Sequence, residues 1–208
     1  KVFLNIQNVE LKIKTKTLLK RQNFKLEKGK NLLIVGPSGS GKTTLLNIMA
    51  GLLKPSSGEV IFQEKKYSML SESEIDSLRA KNFGFIFQKI HLLKHLSIEQ
   101  NILLATDSKS SKDLKELTSK LEISDKLNEK AMNLSMGEAQ RVAIARGLAN
   151  KPEIVFADEP TSSLDDDNTR NFLDLIFSLT NANDSSLVVC THDKRIIKKF
   201  DNILELTL

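Results

Sequence analysis

The sequence predicts an α/β fold in which a mostly parallel sheet is covered on both faces. Short, wholly apolar runs such as "NLLIV" and "IVFAD" suit strands buried on both sides. Segments with apolar residues at helical spacing alternate with them along the chain, the order expected of strand–helix–strand units. One glycine-rich loop joins such a run directly to such a helix.

The elements follow in order. "LKIK" and "NFKLEKGK" alternate apolar and basic residues, the pattern of half-exposed short strands, and "NLLIV" is a central strand. After Thr43, "TLLNIMAGLL" keeps helical spacing and ends at Gly51, with Pro55 and "SSGE" in the turn beyond. "EVIF" and "FGFIF" read as further strands, the second preceded by the polar, helix-like "SESEIDSLRAK". From about Ile90 to Asn133 the texture turns helical. Ser97 with Gln100 three residues on forms a capping-box pattern, and Leu114, Leu117 and Leu121 mark one helix face. With no β-type alternation there, this stretch predicts an inserted helical subdomain. Strand texture returns in "IVFAD", followed by a helix through "RNFLDLIFSL" and then "SLVVCTHD" and "NILELTL".

Composition sets bounds on function. The chain has 208 residues, 40% of them hydrophobic, enough for a buried core. No run approaches the roughly 18 apolar residues of a membrane span, and the start lacks the layout of a signal peptide, so a soluble, cytosolic chain is expected. The single cysteine, Cys190, lies in an apolar run and reads as a buried thiol, so no disulfide framework is possible. The net charge is +5, yet residues 1–30 alone carry nine Lys or Arg against Glu10 and Glu27. The basicity therefore belongs to one end of the chain, either as a solvated strand face or as attraction to phosphates or a membrane surface.

The residues that carry chemistry begin with "GPSGSGKT", Gly36 to Thr43, which fits G-x-x-x-x-G-K-[ST] between a strand and a helix. Through Gly36, Pro37, Ser38, Gly39, Ser40 and Gly41 the backbone N–H groups can turn inward around phosphate oxygens, aided by the helix N-terminus near Gly41. Lys42 would reach the β- and γ-phosphates, Thr43 would place its hydroxyl on Mg²⁺, and Thr44 would contact the α-phosphate. At the end of "IVFAD", Asp158 and Glu159 set two carboxylates where a buried strand stops, which a phosphate-bound Mg²⁺ would offset. Asp158 suits the metal, and Glu159 suits the general base acting on the attacking water.

"NLSMGEAQRVAIARGLANKPEIVFADEPTSSLD", residues 133–165, resembles the signature, Walker B and D-loop block of ATP-binding-cassette ATPases, whose signature is usually written LSGGQ. With the loop at 36–46, Gln88 in "FIFQ" and His192 in "CTHD", the resemblance covers essentially the whole chain. It implies one P-loop NTPase domain over 1–208, with residues 1–89 and 134–208 as the catalytic core. That core includes an N-terminal antiparallel β-subdomain, and 90–133 forms the helical insertion. It also implies ATP hydrolysis with Mg²⁺, Gln88 sensing the metal and the transport partner, His192 touching the γ-phosphate, and Asp165 at a dimer interface. In that family Ser135 and Gly137 close over nucleotide held by the other subunit of a homodimer. Ser135 with Glu138 is itself a capping-box pattern, and so an exposed helix N-terminus suited to an anion. His91 and His95 fit no such pattern and read as surface or packing residues.

Two positions depart from the family. Met136 stands where the signature usually has its first glycine, and Ile13 stands where an aromatic ring usually stacks on adenine. "MLSESEIDSLRAKNFGFIFQKIHLLKHLSIEQNI" with the LSxGEAQRVAIAR form is similar to the subfamily of lipoprotein-releasing, macrolide-exporting and cell-division ATPases. That similarity implies a separate transmembrane permease subunit with few spans and a large extracytoplasmic domain, docked on Ile90–Leu96. It implies a place at the cytoplasmic face of the inner membrane and no nucleic-acid partner. A regulatory role in cell division, or a soluble cassette acting on ribosomes or DNA, is the alternative.

Overall fold

The structure, a computed structural model, describes residues 2–106 and 111–208. Two sheets organise it. Strands β1 (Val2–Ile13), β2 (Lys16–Glu27), β4 (Ser57–Phe62) and β5 (Lys65–Lys66) form an antiparallel sheet in the order β2-β1-β4-β5. Strands β3 (Leu32–Val35), β6 (Phe83–Phe87), β7 (Ile154–Asp158), β8 (Ser186–Thr191) and β9 (Asn202–Glu205) form a parallel sheet in the order β6-β7-β8-β3-β9. This is the α/β architecture expected, with the antiparallel layer at the N-terminus.

The apolar strands divide their side chains between two cores. Leu32 and Ile34, Ile154 and Phe156, and Val188 and Cys190 face the antiparallel sheet and helix α1 (Lys42–Met49). Their neighbours Leu33, Val155, Ala157, Leu187 and Val189 face α5 (Met136–Leu148) and α6 (Asp166–Ala182). A period of two that is apolar on both faces is why these runs show no polar alternation. Cys190 is fully buried and free, and desolvation raises its pKa well above the usual thiol value.

The remaining helices are α2 (Glu72–Asn82), α3 (Ile98–Leu103) and α4 (Ser111–Lys120). The Ser97–Gln100 capping box forms as expected, with Ser97 N donating to Gln100 Oε1 at 2.9 Å and Gln100 N donating to Ser97 Oγ at 3.1 Å. Between β6 and β7 the chain is less continuously helical than its texture suggests. Residues 90–96 run irregularly, held because the buried Asn101 accepts from Leu93 N at 2.8 Å and donates to Leu93 O and Ser97 O. The first strands are longer than the short ones expected. β1 and β2 each run 12 residues, and their pairing absorbs several register shifts, with Asn8 at φ 52°. Such shifts interrupt the side-chain alternation that marks a strand in sequence. The expected run to Gly51 after the loop is shorter, α1 stopping at Met49 with Leu52 N bonded back to Asn47 O.

The basic residues of β2 and its flanks are exposed along a sheet edge, where charge discourages strand-to-strand pairing. Lys1 lies outside the described residues. Gly84 and Gly147 let α5 sit directly on β6. A Cβ on Gly84 would fall 1.9 Å from the Gly147 carbonyl, so the position of the signature helix depends on the missing side chain.

Candidate functional site

Strand register builds the site. Val35 pairs with Thr191, while Asp158 pairs with both Cys190 and Phe87. Four strands therefore end level, and the residues that follow them, Gly36, His192, Glu159 and Gln88, emerge along one edge. In parallel α/β sheets this carboxyl edge is where ligands bind.

A cleft of about 500 Å³ opens there, lined by Lys16, Thr17 and Leu18 from β2, by Ser38, Gly39, Gly41, Lys42, Thr43 and Thr44, and by Glu159 and His192. Gly41 caps α1 with φ 94°, and a Cβ there would lie 2.6 Å from the Leu18 carbonyl, so the loop closes against β2 only because the position is glycine. Lys42 is buried, and its Nζ donates to the carbonyls of Gly36 (2.8 Å) and Pro37 (3.0 Å), holding the ammonium inside the loop. Ser40 is buried with its hydroxyl unpartnered.

Thr43 Oγ1 donates to Asp158, at 3.0 Å from Oδ2 and 3.2 Å from Oδ1. Burial raises the Asp158 pKa above the ordinary aspartate value, and the Thr43 bond only partly opposes this. A half-buried carboxylate beside a hydroxyl oxygen suits a hard divalent cation that also takes phosphate oxygens. Among the described residues no group of three or more His, Cys, Asp or Glu could hold a metal alone, so such an ion would depend on the nucleotide for ligands. Gln88 N donates to the Asp158 carbonyl at 3.1 Å, so Gln88 sits beside this pair although it does not line the cleft.

Glu159 is the most constrained group of the edge. Its backbone is left-handed, φ 48°, a conformation costing on the order of 1 kcal/mol for a non-glycine residue. Its N–H donates to Cys190 O at 2.8 Å. Its carboxylate accepts from Thr191 Oγ1 at 2.8 Å and from His192 N at 3.1 Å, and lies 2.9 Å from His192 Nδ1. With Nδ1 turned to the carboxylate, Nε2 is left on the far side of the ring, where it can donate to an anion when it carries a proton.

Three expected residues stand apart from the cleft. Ile13, 55% exposed, does not line it; it pairs across the hairpin with Lys16, which does. Ser135 and Gly137 lie at the start of α5, also outside the cleft. There the capping box is complete, Ser135 N donating to Glu138 Oε2 at 2.8 Å, and a Cβ on Gly137 would meet nothing within 4 Å. Met136 is 69% exposed beside them. Asp165 caps α6. His91 and His95 are exposed, His91 packing edge-on to Phe87.

Two further residues support the site from outside the motifs. Thr191, next to His192 in "CTHD", supplies a bond to Glu159. Arg146 in "AIARG" donates to Ile90 O (2.7 Å) and His91 O (2.9 Å), tying α5 to the segment after Gln88. An arginine on the apolar side of a helix was the visible clue to it.

The family model described as "ABC transporter" matches residues 19–162. The chain belongs to the ABC transporter family. It is an ATP-binding, ATP-hydrolysing cassette of the kind that drives a membrane transporter. It is 41% identical over 191 residues to the lipoprotein-releasing system ATP-binding protein LolD of Buchnera aphidicola subsp. Acyrthosiphon pisum, covering 89% of this chain and 84% of that one. It is 38% identical to the macrolide export ATP-binding/permease protein MacB of Campylobacter jejuni, covering 97% of this chain and 32% of that longer protein. Among solved structures, the dimeric bacterial cassette MJ0796 superposes with a TM-score of 0.84 at 34% identity, covering 98% of this chain and 94% of that one. A post-hydrolysis state of the same cassette, bound to ADP and Pi, fits equally well at 33% identity. No helix among the described residues of this cassette is long and apolar enough to cross a membrane.

Proposed function

We propose that the cassette acts as a homodimer with two composite sites. Each would be formed by the loop, Asp158, Glu159, His192 and Gln88 of one subunit and by Ser135 and Gly137 of the other. The observation that carries this reading is the bonding of Glu159 by Thr191 and His192 in the cleft that also holds Lys42 and Thr43. The separation of Ser135 and Gly137 from that cleft supports their use by a second copy.

In this reading Gly36, Pro37, Ser38, Gly39, Ser40 and Gly41 wrap the phosphates, Lys42 leaves the Gly36 and Pro37 carbonyls for phosphate oxygens, and Thr44 contacts the α-phosphate. Thr43, Asp158 and Gln88 would hold Mg²⁺, which neutralises phosphate charge when bound. Glu159 takes a proton from water as its oxygen bonds to the γ-phosphorus and the bond to the ADP oxygen breaks. His192, fixed through Nδ1, offers its other nitrogen to the γ-phosphate. Ile13, at the position expected to meet adenine, would offer at most an aliphatic contact in place of stacking worth roughly 1–3 kcal/mol.

Residues 1–89 and 134–208 would form the core and 90–133 the helical insertion. We further assign the cassette to the lipoprotein-release or export type, at the cytoplasmic face of the inner membrane, beneath a permease with a large extracytoplasmic domain. A groove of about 450 Å³ lined by Phe85, Phe87, His91 and Arg146 supports docking next to Ile90–Leu96. Tagged Glu159→Gln protein, loaded with ATP, should recover such a few-span subunit from detergent-solubilised membranes, identified by mass spectrometry. Recovery of ribosomal or DNA-associated proteins instead would refute the assignment; recovery of a division-site membrane protein would move it to the cell-division type.

A further inference from the structure

The residues around Glu159 form a closed circuit with a member outside every motif discussed so far. Thr191 Oγ1, which donates to Glu159, accepts from Asp193 N at 2.9 Å. Asp193 is 8% exposed, yet its charge is fully met. Thr161 Oγ1 donates to Oδ2 at 3.0 Å, and Arg195 grips both oxygens, Nε to Oδ1 at 2.8 Å and one terminal nitrogen to Oδ2 at 2.7 Å. That same terminal nitrogen donates to Leu164 O at 3.1 Å and lies 3.4 Å from Thr161 O. The other terminal nitrogen donates to Asp166 Oδ1 at 2.6 Å.

One guanidinium thus joins two stretches of chain. On one side is the segment 191–195, which presents Thr191 and His192 to the carboxylate. On the other is the loop 161–166, which follows Glu159 after a single proline. A planar fork that satisfies a buried carboxylate bidentately and reaches two carbonyls with the same group fixes orientation as well as distance, which an ammonium cannot do. The side chain of Arg195 does not line the cleft, so it stands outside the surface that would meet nucleotide and the attacking water.

We propose that Arg195 is a positioning residue for hydrolysis, locking the segment that aims Thr191 and His192 at Glu159 to the loop leading from Glu159 into α6. It sets the geometry of the water-activating carboxylate without contributing to nucleotide affinity. The loop 161–166 and the chemistry then move as one body, so displacement of that loop by a second subunit is felt at Glu159. The inference rests on Glu159 being the general base.

The test compares Arg195→Gln and Arg195→Lys with Asp166→Asn, which releases only the exposed arm of the fork. Thermal melts identify the folded variants, calorimetry gives the Kd for a non-hydrolysable ATP analogue, and steady-state assays give kcat. In Arg195→Gln kcat should fall about tenfold or more, the scale of a misplaced catalytic group, with Kd within about threefold. Arg195→Lys should fall between it and the unchanged protein, and Asp166→Asn should show the smallest loss. An unchanged kcat in a folded Arg195 variant, or a loss that merely follows Kd, overturns the proposal. Should Arg195→Gln not fold, Arg195→Lys and Asp166→Asn carry the same test. Glu159→Gln, assayed alongside, separates the two ideas: if it still hydrolyses ATP the base assignment fails, and if it does not while Arg195 variants turn over normally, only the positioning role fails.

Discussion

In the proposed reading the carboxyl edge of the parallel sheet and the start of α5 both meet phosphate, but they are held in different ways. At the sheet edge the charged groups are braced by neighbours. Lys42 is gripped by two carbonyls, Asp158 by Thr43, and Glu159 by three donors, all at or just beyond the ends of strands whose side chains are buried on both faces. At the start of α5, Ser135, Met136 and Gly137 are exposed, held only by a capping box and an ion pair from Lys126 to Glu138. A site whose parts brace one another can bind ligand alone. A lone helix N-terminus offers a few N–H groups and about half a positive charge, so it becomes effective only against a surface that brings the anion.

Substitutions can break that contrast. The largest effect is expected at Glu159: Glu159→Gln should lower kcat by about 10²–10⁴ while ATP still binds, and ATP should then shift the protein to a dimer in light scattering. A variant that hydrolyses normally would remove the carboxylate from the mechanism. Lys42→Ala should weaken ATP binding in calorimetry by about 100-fold, as loss of one or two charge-assisted bonds to phosphate implies. Retained affinity would mean the braced edge does not bind phosphate. At the exposed end the pattern should invert. Ser135→Ala should cost about 1 kcal/mol of stability as a lost cap and leave monomer ATP affinity unchanged, yet lower ATP-dependent dimerisation and turnover. If it instead weakens binding by the isolated subunit, the two regions are not separate.

The sheet edge was legible because its chemistry is local: "GPSGSGKT" and "IVFADEP" each place loop, hydroxyl and carboxylates within a few residues of a strand end. Capping boxes at Ser97 and Ser135 were legible for the same reason, both partners lying three residues apart. The unread parts depend on contacts across the fold. Arg146 reaches carbonyls 55 and 56 residues away, and Asn101 shapes a loop by accepting and donating at once. The length of β1 and β2 was hidden because register shifts break alternation. The family resemblance puts Ile13 at the adenine-stacking position, yet whether it faces nucleotide depends on the hairpin, which turns Lys16 rather than Ile13 into the cleft.

The smallest expected effect tests how lightly the α5 N-terminus is held. Lys126, then the Ser135 N–H and hydroxyl, hold the Glu138 carboxyl down to about 2 from an ordinary 4.5. Because the folded value is the lower one, this support is fully present above the unfolded pKa near 4.5 and is lost as pH falls through about 2. The ion pair is partly exposed, so the contribution is small and screened by salt. Glu138→Gln keeps a capping partner but no charge, and its Tm should lie slightly below that of the unchanged protein at pH 6. The gap should narrow as the pH is lowered from 5 towards 2 and shrink in 1 M salt. A gap that stays constant with pH would show that the box is held by hydrogen bonding alone. The N-terminus of α5 would then carry no electrostatic bias of its own towards or against an approaching phosphate.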